Sequence, residues 1–222
     1  MLIGKIRRKM YWYMHLFSGA LNNKRGLFKR GITIDIIPTT RCNYKCSYCP
    51  MYIHGEVKRY EECSLEEWKD FITRRVQHWV STFFVSGGEP ALYKEIVPLI
   101  NWLIGRGHKV ILLTNLSYPE KFEGIKPHWR LMFQPTFHPE FAKPEKFKQG
   151  IKWLEKRGYG ITSQVTGEGE TPERLRKELG LKRVKEFYTV NWFQNIDPNI
   201  QAAPDAPRTS RLYIGSCNLY KK

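Results

Sequence analysis

Arg41-Cys42-Asn43-Tyr44-Lys45-Cys46-Ser47-Tyr48-Cys49-Pro50 carries three of the chain's five cysteines at C-x3-C-x2-C spacing. Thiolates this close in a loop can converge on a metal ion or an inorganic cluster, and tight cysteine runs hold iron–sulfur clusters. The usual cubane takes four cysteines, so a run of three leaves one iron open to a small molecule. Two other readings use the same residues. A structural zinc ion needs four nitrogen or sulfur ligands, and His54 or Cys63 stands near enough downstream to supply the fourth. Buried thiols are also common in cores. Three within eight residues, between polar neighbours, fit a loop better than a core.

The surrounding pattern says what positions the loop. Ile32-Thr33-Ile34-Asp35-Ile36-Ile37 alternates and is β-branched, which predicts a strand that Pro38 ends. A strand running straight into the cysteines puts the site at its C-terminal end, where parallel α/β sheets and barrels bind ligands. Ser64-Leu65-Glu66-Glu67 is a capping box. It predicts a helix to about Val80 with Cys63 buried just before the cap. Thr82–Ser86 is a second strand, and Gly87-Gly88-Glu89-Pro90 follows it. Two glycines at a strand end let the backbone approach a ligand closely. A helix over 93–105 leads to a third strand, 109–114, and 129–134 is a fourth. A helix over 143–158, a strand over 159–165, a helix over 171–180 and a sixth strand over 186–193 complete the series. Six alternating strand–helix units specify a parallel sheet covered by helices.

C-x3-C-x2-C with Tyr48 just before the last cysteine, followed about forty residues later by GGEP, resembles the radical S-adenosylmethionine (SAM) superfamily. The resemblance runs over residues 32–193 and implies a partial (β/α)6 TIM-like barrel. It implies that Cys42, Cys46 and Cys49 ligate a [4Fe–4S] cluster whose open iron is chelated by the methionine end of SAM. An electron from the cluster would then cleave SAM to a 5′-deoxyadenosyl radical that abstracts hydrogen from a substrate. Tyr48, Gly87, Gly88 and Glu89 match the motifs that hold the cofactor. Thr114-Asn115 resembles the TN(G) strand ending common in the family, with Leu116 in place of glycine. Gln134 and Thr136 match the position that offers a polar group to the SAM ribose. His138 is the candidate catalytic residue, a substrate-side proton donor, if it is not a loop histidine packed on Pro139. An electron donor of the flavodoxin or ferredoxin type is implied as a partner.

Composition bounds the rest. An apolar content of 41% indicates a globular chain, and the odd, uneven cysteine set does not describe a disulfide framework. A reducing cytoplasm fits. The net charge of +16 favours acidic partners, hence an anionic substrate, with direct nucleic-acid binding by a zinc-containing module as the alternative. Every charge in residues 1–31 is Lys or Arg. Apolar residues recur there at helical spacing, so 2–21 is expected to be a basic amphipathic helix. Such a helix can pack on the barrel or lie peripherally on an anionic membrane. From Gln194 the pattern dissolves, and Pro198, Pro204 and Pro207 predict an irregular extension over 194–222. Ile214-Gly215-Ser216-Cys217 is faintly like the opening of an auxiliary-cluster domain, but a lone Cys217 cannot hold a second cluster.

Overall fold

The computed structural model describes residues 33–47, 49, 61–76, 81–162, 164–165, 178–179 and 211–214. The basic segment 1–31, the strand expected over 186–193 and all but Glu178 and Leu179 of the helix expected over 171–180 lie outside them.

Strands β1 (Thr33–Thr39), β2 (Thr82–Gly87), β3 (Lys109–Thr114) and β4 (Leu131–Phe137) lie side by side in chain order, all parallel. Helices α1 (Leu65–Val76) and α2 (Ile96–Gly105) make the first two crossovers, and a 3-10 turn, Pro119–Phe122, lies in the third. Helix α3 (Pro144–Lys156) follows β4 and leads to β5 (Gly160–Ile161) and β6 (Gln164–Val165), which both pair with β4. The opposite edge is closed by β7 (Arg211–Ile214), parallel to β1. Parallel strands with helical crossovers make a partial α/β barrel.

Side chains alternate across the sheet. Ile34, Ile36, Phe83, Val85, Val110, Leu112, Leu131 and Phe133 point into one core with Trp68 and Ile72 of α1, Leu99 and Leu103 of α2, and Phe147 and Leu154 of α3. The intervening residues Asp35, Phe84, Ile111, Met132 and Gln134 are only half-buried, so they belong to the open face. Ser64 and Glu67 close the expected capping box, the Glu67 carboxylate accepting from the Ser64 amide at 2.9 Å. Among the described residues no helix is long and apolar enough to cross a membrane.

The prolines correct two strand boundaries. Pro38 does not end β1, which continues to Thr39, with the ladder to β2 shifting register between Ile36 and Thr39. A residue without an N–H is tolerated at such an irregularity. Strand β4 likewise runs beyond Gln134 through Pro135. Pro135 falls where the partner of β4 changes from β5, paired at Phe133, to β6, paired at Thr136. The missing donor coincides with the break of the expected fifth strand into two pieces. In the extension expected to be irregular, Arg211–Ile214 is a strand.

Leu116, in the place of the family's glycine, adopts φ 59 and is buried. A Leu in this left-handed region carries strain of roughly 1–2 kcal/mol. Its side chain fills the space over Gly150 of α3, where an added Cβ would stand 2.6 Å from Leu116 Cγ and Cδ2. Gly150→Ala is therefore expected to destabilise by about 1–3 kcal/mol, although alanine is the better helix former. Adding Leu116→Gly should make Gly150→Ala nearly neutral, so urea unfolding of the two single variants and the double variant should be strongly non-additive. Additive effects would refute the contact.

Candidate functional site

The C-terminal ends of β1, β2, β3 and β4 meet at the cysteine loop. The contact between β1 and β2 is made by backbone. The amides of Gly88 and Glu89 donate to the carbonyls of Thr39 (3.0 Å) and Arg41 (2.8 Å). A Cβ on Gly88 would lie 2.1 Å from the Arg41 carbonyl oxygen, and Gly87 has φ +113. Glycine is required here so that the cysteine loop's own backbone can approach. Arg41 braces the same turn from outside: its guanidinium grips the Glu62 carboxylate (2.7 and 3.0 Å) and donates to the Leu92 carbonyl at 2.6 Å.

Glu89 is completely buried. Its Oε1 accepts from the Ala91 amide (3.0 Å) and the Thr114 hydroxyl (2.7 Å), and its Oε2 from the Asn115 amide (2.6 Å). The carboxylate thus ties the end of β2 to the end of β3. Burial pushes its pKa up to about 7 against these three hydrogen bonds. Through these bonds the side chain acts on the site by holding Thr114 and Asn115.

Asn115 carries that order into the cysteine loop. Its Nδ2 donates to Asn43 Oδ1 at 2.9 Å and lies 3.9 Å from Cys42 Sγ. Asn43 Nδ2 donates to Ser117 Oγ at 3.0 Å, and the Ser117 hydroxyl donates to that of Tyr44 at 2.9 Å. The loop after β4 makes the second clasp. Glu140 accepts from the Ser47 amide at 2.8 Å and from the Ser47 hydroxyl. These bonds hold the Glu140 carboxyl below its usual range. Tyr44 stacks on Phe141 and meets the His138 ring edge-on. His138 Nδ1 is 3.5 Å from Cys46 Sγ. Sequence reasoning missed Asn43, Tyr44, Ser117, Glu140 and the Arg41–Glu62 pair. A polar residue two after Asn115 and a carboxylate two after His138 were the available signals.

Cys46 and Cys49 share a turn, the Cys49 amide donating to the Cys46 carbonyl at 3.0 Å, and Cys42 stands at the start of the same loop. Burial pushes the Cys42 thiol up, and the negative charges of Glu89 and Cys49 add to the effect. Three cysteines within eight residues, Cys42 within reach of the charges of Glu89 and Cys49, form a donor set whose burden binding of iron would relieve, because thiolates are the ligands and metal binding displaces their protons. The residues fit a cluster. Cys63 is buried and disulfide-bonded, so it offers no thiolate to a zinc ion. Among the described residues no three His, Cys, Asp or Glu side chains are grouped to hold a single metal ion.

Gln134 and Thr136 lie two apart on β4, Gln134 half-buried on the open face with Met132 and Thr136 buried. Tyr48, His54 and Cys217 fall outside the described residues.

The family model described as "Radical SAM superfamily" matches residues 36–181, and the chain belongs to that superfamily. Membership brings its cofactors, a [4Fe–4S] cluster and SAM. The chain is 30% identical over 85 residues to an S-adenosylmethionine-dependent nucleotide dehydratase of Selenomonas ruminantium, covering 38% of this chain and 30% of that protein. It is 27% identical over 134 residues to a GTP 3′,8-cyclase of Rhizobium meliloti (strain 1021), covering 58% of this chain and 38% of the cyclase. These matches span well under half the length of each curated relative, both of which are enzymes by name. Among solved structures, Streptococcus suis SuiB bound to S-adenosylmethionine superposes with TM-score 0.57 at 16% identity, over 77% of this chain and 43% of SuiB. The anSMEcpe protein with bound AdoMet gives TM-score 0.53 at 17% identity, over 72% and 52% of the two chains. At that identity the likeness is one of fold.

Proposed function

We propose that this chain is a radical SAM enzyme whose cluster is ligated by Cys42, Cys46 and Cys49. When bound, the cluster supplies the electron that cleaves SAM to a 5′-deoxyadenosyl radical, which abstracts hydrogen from the substrate. The observation that carries the reading is the convergence of the cysteine loop with the Gly87-Gly88-Glu89 turn and the Thr114-Asn115 strand end through direct hydrogen bonds.

In this reading the chain's own groups position and exclude. The Gly87–Gly88 backbone presses the cysteine loop against β2, and Glu89 holds the two strand ends at a fixed spacing. Asn115 and Asn43 orient the loop beside Cys42. Gln134 on the open face and Thr136, two residues further along β4, offer polar groups for the nucleoside end of SAM. Tyr44 and Phe141 form an aromatic wall beside Cys46, with Phe141 exposed at its outer side. The net charge of +16, with the nucleotide substrates that both relatives' names state, supports an anionic substrate. A small acidic electron carrier of the flavodoxin or ferredoxin type completes the reaction, in a core spanning 32–193.

Anaerobic reconstitution with iron and sulfide should give a brown, oxygen-labile protein with about four irons per chain. Dithionite and SAM should then release 5′-deoxyadenosine. The triple variant Cys42→Ala, Cys46→Ala, Cys49→Ala should take up no cluster and release none. A wild-type protein that binds one zinc and stays colourless, or that holds four irons and leaves SAM intact, would overturn the proposal.

A further inference from the structure

His138 stands 92 residues from Cys46 in the chain, and its Nδ1 lies 3.5 Å from Cys46 Sγ. Its place is over-determined. The amides of Phe141 and Ala142 donate to the His138 carbonyl at 3.0 and 2.8 Å, fixing the turn that presents the ring. Glu140 in that turn is bonded twice to Ser47, the residue after Cys46. Tyr44 meets the imidazole at a centroid distance of 5.8 Å with its plane turned by 73°. The cysteine loop and the β4 loop therefore grip one another on both sides of the contact.

The chemistry assigns the proton. A cysteine bound to iron is a thiolate and can only accept a hydrogen bond. The imidazole must then carry its hydrogen on Nδ1, leaving Nε2 with the lone pair. A hydrogen bond to a ligand sulfur draws electron density from it, and such bonds are among the factors that set cluster potentials. A donor beside the sulfur favours the reduced cluster, which carries one more negative charge.

We propose that His138 is a positioning residue whose Nδ1–H donates to Cys46 Sγ and raises the reduction potential of the cluster. The proposal rests on Cys46 being a cluster ligand, as inferred above. It replaces the expected role of His138 as a substrate-side proton donor with one exerted through a ligand.

The test is an anaerobic redox titration of the reconstituted protein without substrate, followed by electron paramagnetic resonance. His138→Phe keeps a flat ring against Tyr44 and removes the donor. His138→Asn places an amide N–H close to the position of Nδ1. The phenylalanine variant is expected to lose about tenfold in the equilibrium constant for one-electron reduction, about 59 mV towards negative potential. The asparagine variant is expected to recover most of that loss, with iron content unchanged in both. An unchanged potential in the phenylalanine variant overturns the proposal, as does an equal shift in both variants. Loss of iron uptake in both variants overturns it too, because a tuning hydrogen bond is dispensable for assembly. A wild-type protein that assembles no cluster would instead overturn the functional reading, which separates the two failures.

Discussion

Gly88→Ala is expected to cost about 3–5 kcal/mol of stability and to prevent iron uptake. The added methyl would stand 2.1 Å from the Arg41 carbonyl oxygen, 2.5 Å from the Arg41 carbonyl carbon and 2.8 Å from that of Thr40. All three are backbone atoms, so no rotamer change relieves the overlap. Overpacking alone costs roughly 1–3 kcal/mol. Separating the loop from the turn would also break the two amide bonds to Thr39 and Arg41, at about 1 kcal/mol each. For a domain of this size that is a fall in melting temperature of about 10 °C or more. Gly105→Ala is the control: nothing lies within 4 Å of its added methyl, and it should be neutral or slightly stabilising. A Gly88→Ala protein that melts with wild type and binds iron would show that the loop can yield.

Changes at Glu89 should rank next, and their effect should depend on pH. Burial raises the folded-state pKa from the ordinary 4.5 to about 7. Between those values the folded protein holds a proton that the unfolded chain has released. The contribution of Glu89 is therefore fully present below pH 4.5 and is lost as the pH rises through 7, by about 3 kcal/mol at about 1.4 kcal/mol per pH unit. His108 and His138, both lowered to about 4 by burial, act in the opposite sense and lose stability as the pH falls from 6.5 towards 4. The Glu89 component is best read from the apo-protein as the difference between wild type and Glu89→Gln. Wild type should lose ground to the variant as the pH rises from 4.5 to 7. Glutamine sets an amide against a backbone donor, at about 1–3 kcal/mol. Glu89→Ala strands the buried Ala91 and Asn115 amides and the Thr114 hydroxyl together, and should cost more than glutamine at every pH. A wild-type-minus-variant difference that is flat over this range would mean that Glu89 stays ionised in the fold.

Much of the site can be read from adjacency in the chain. Cys42, Cys46 and Cys49 lie within two turns' reach of one another whatever the fold. Ile32–Ile37 and Thr82–Ser86 announce strands by alternation, and each runs directly into a chemically marked loop. The parallel sheet follows because alternating strand and helix patterns leave few other ways to bury both faces. Pro38 misled, because a missing N–H ends a regular ladder but not one that shifts register.

Contacts between distant residues were beyond such reading. That the Gly87-Gly88 turn also admits the backbone of the neighbouring loop could not be read from two glycines. That the oxygens of Glu89 also tie Ala91, Thr114 and Asn115 together could not be read from the motif. The pairing of Leu116 with Gly150, the grip of His138 and Glu140 on Cys46 and Ser47, and the docking of β7 on β1 join residues from 34 to 178 positions apart. Residue types and their spacing were enough for the family and for the alternation of strand and helix, since both depend on near neighbours along the chain. Which backbone presses on the cysteine loop, which donor faces Cys46 and where a buried carboxylate spends its oxygens depended on the sheet bringing four strand ends to one rim.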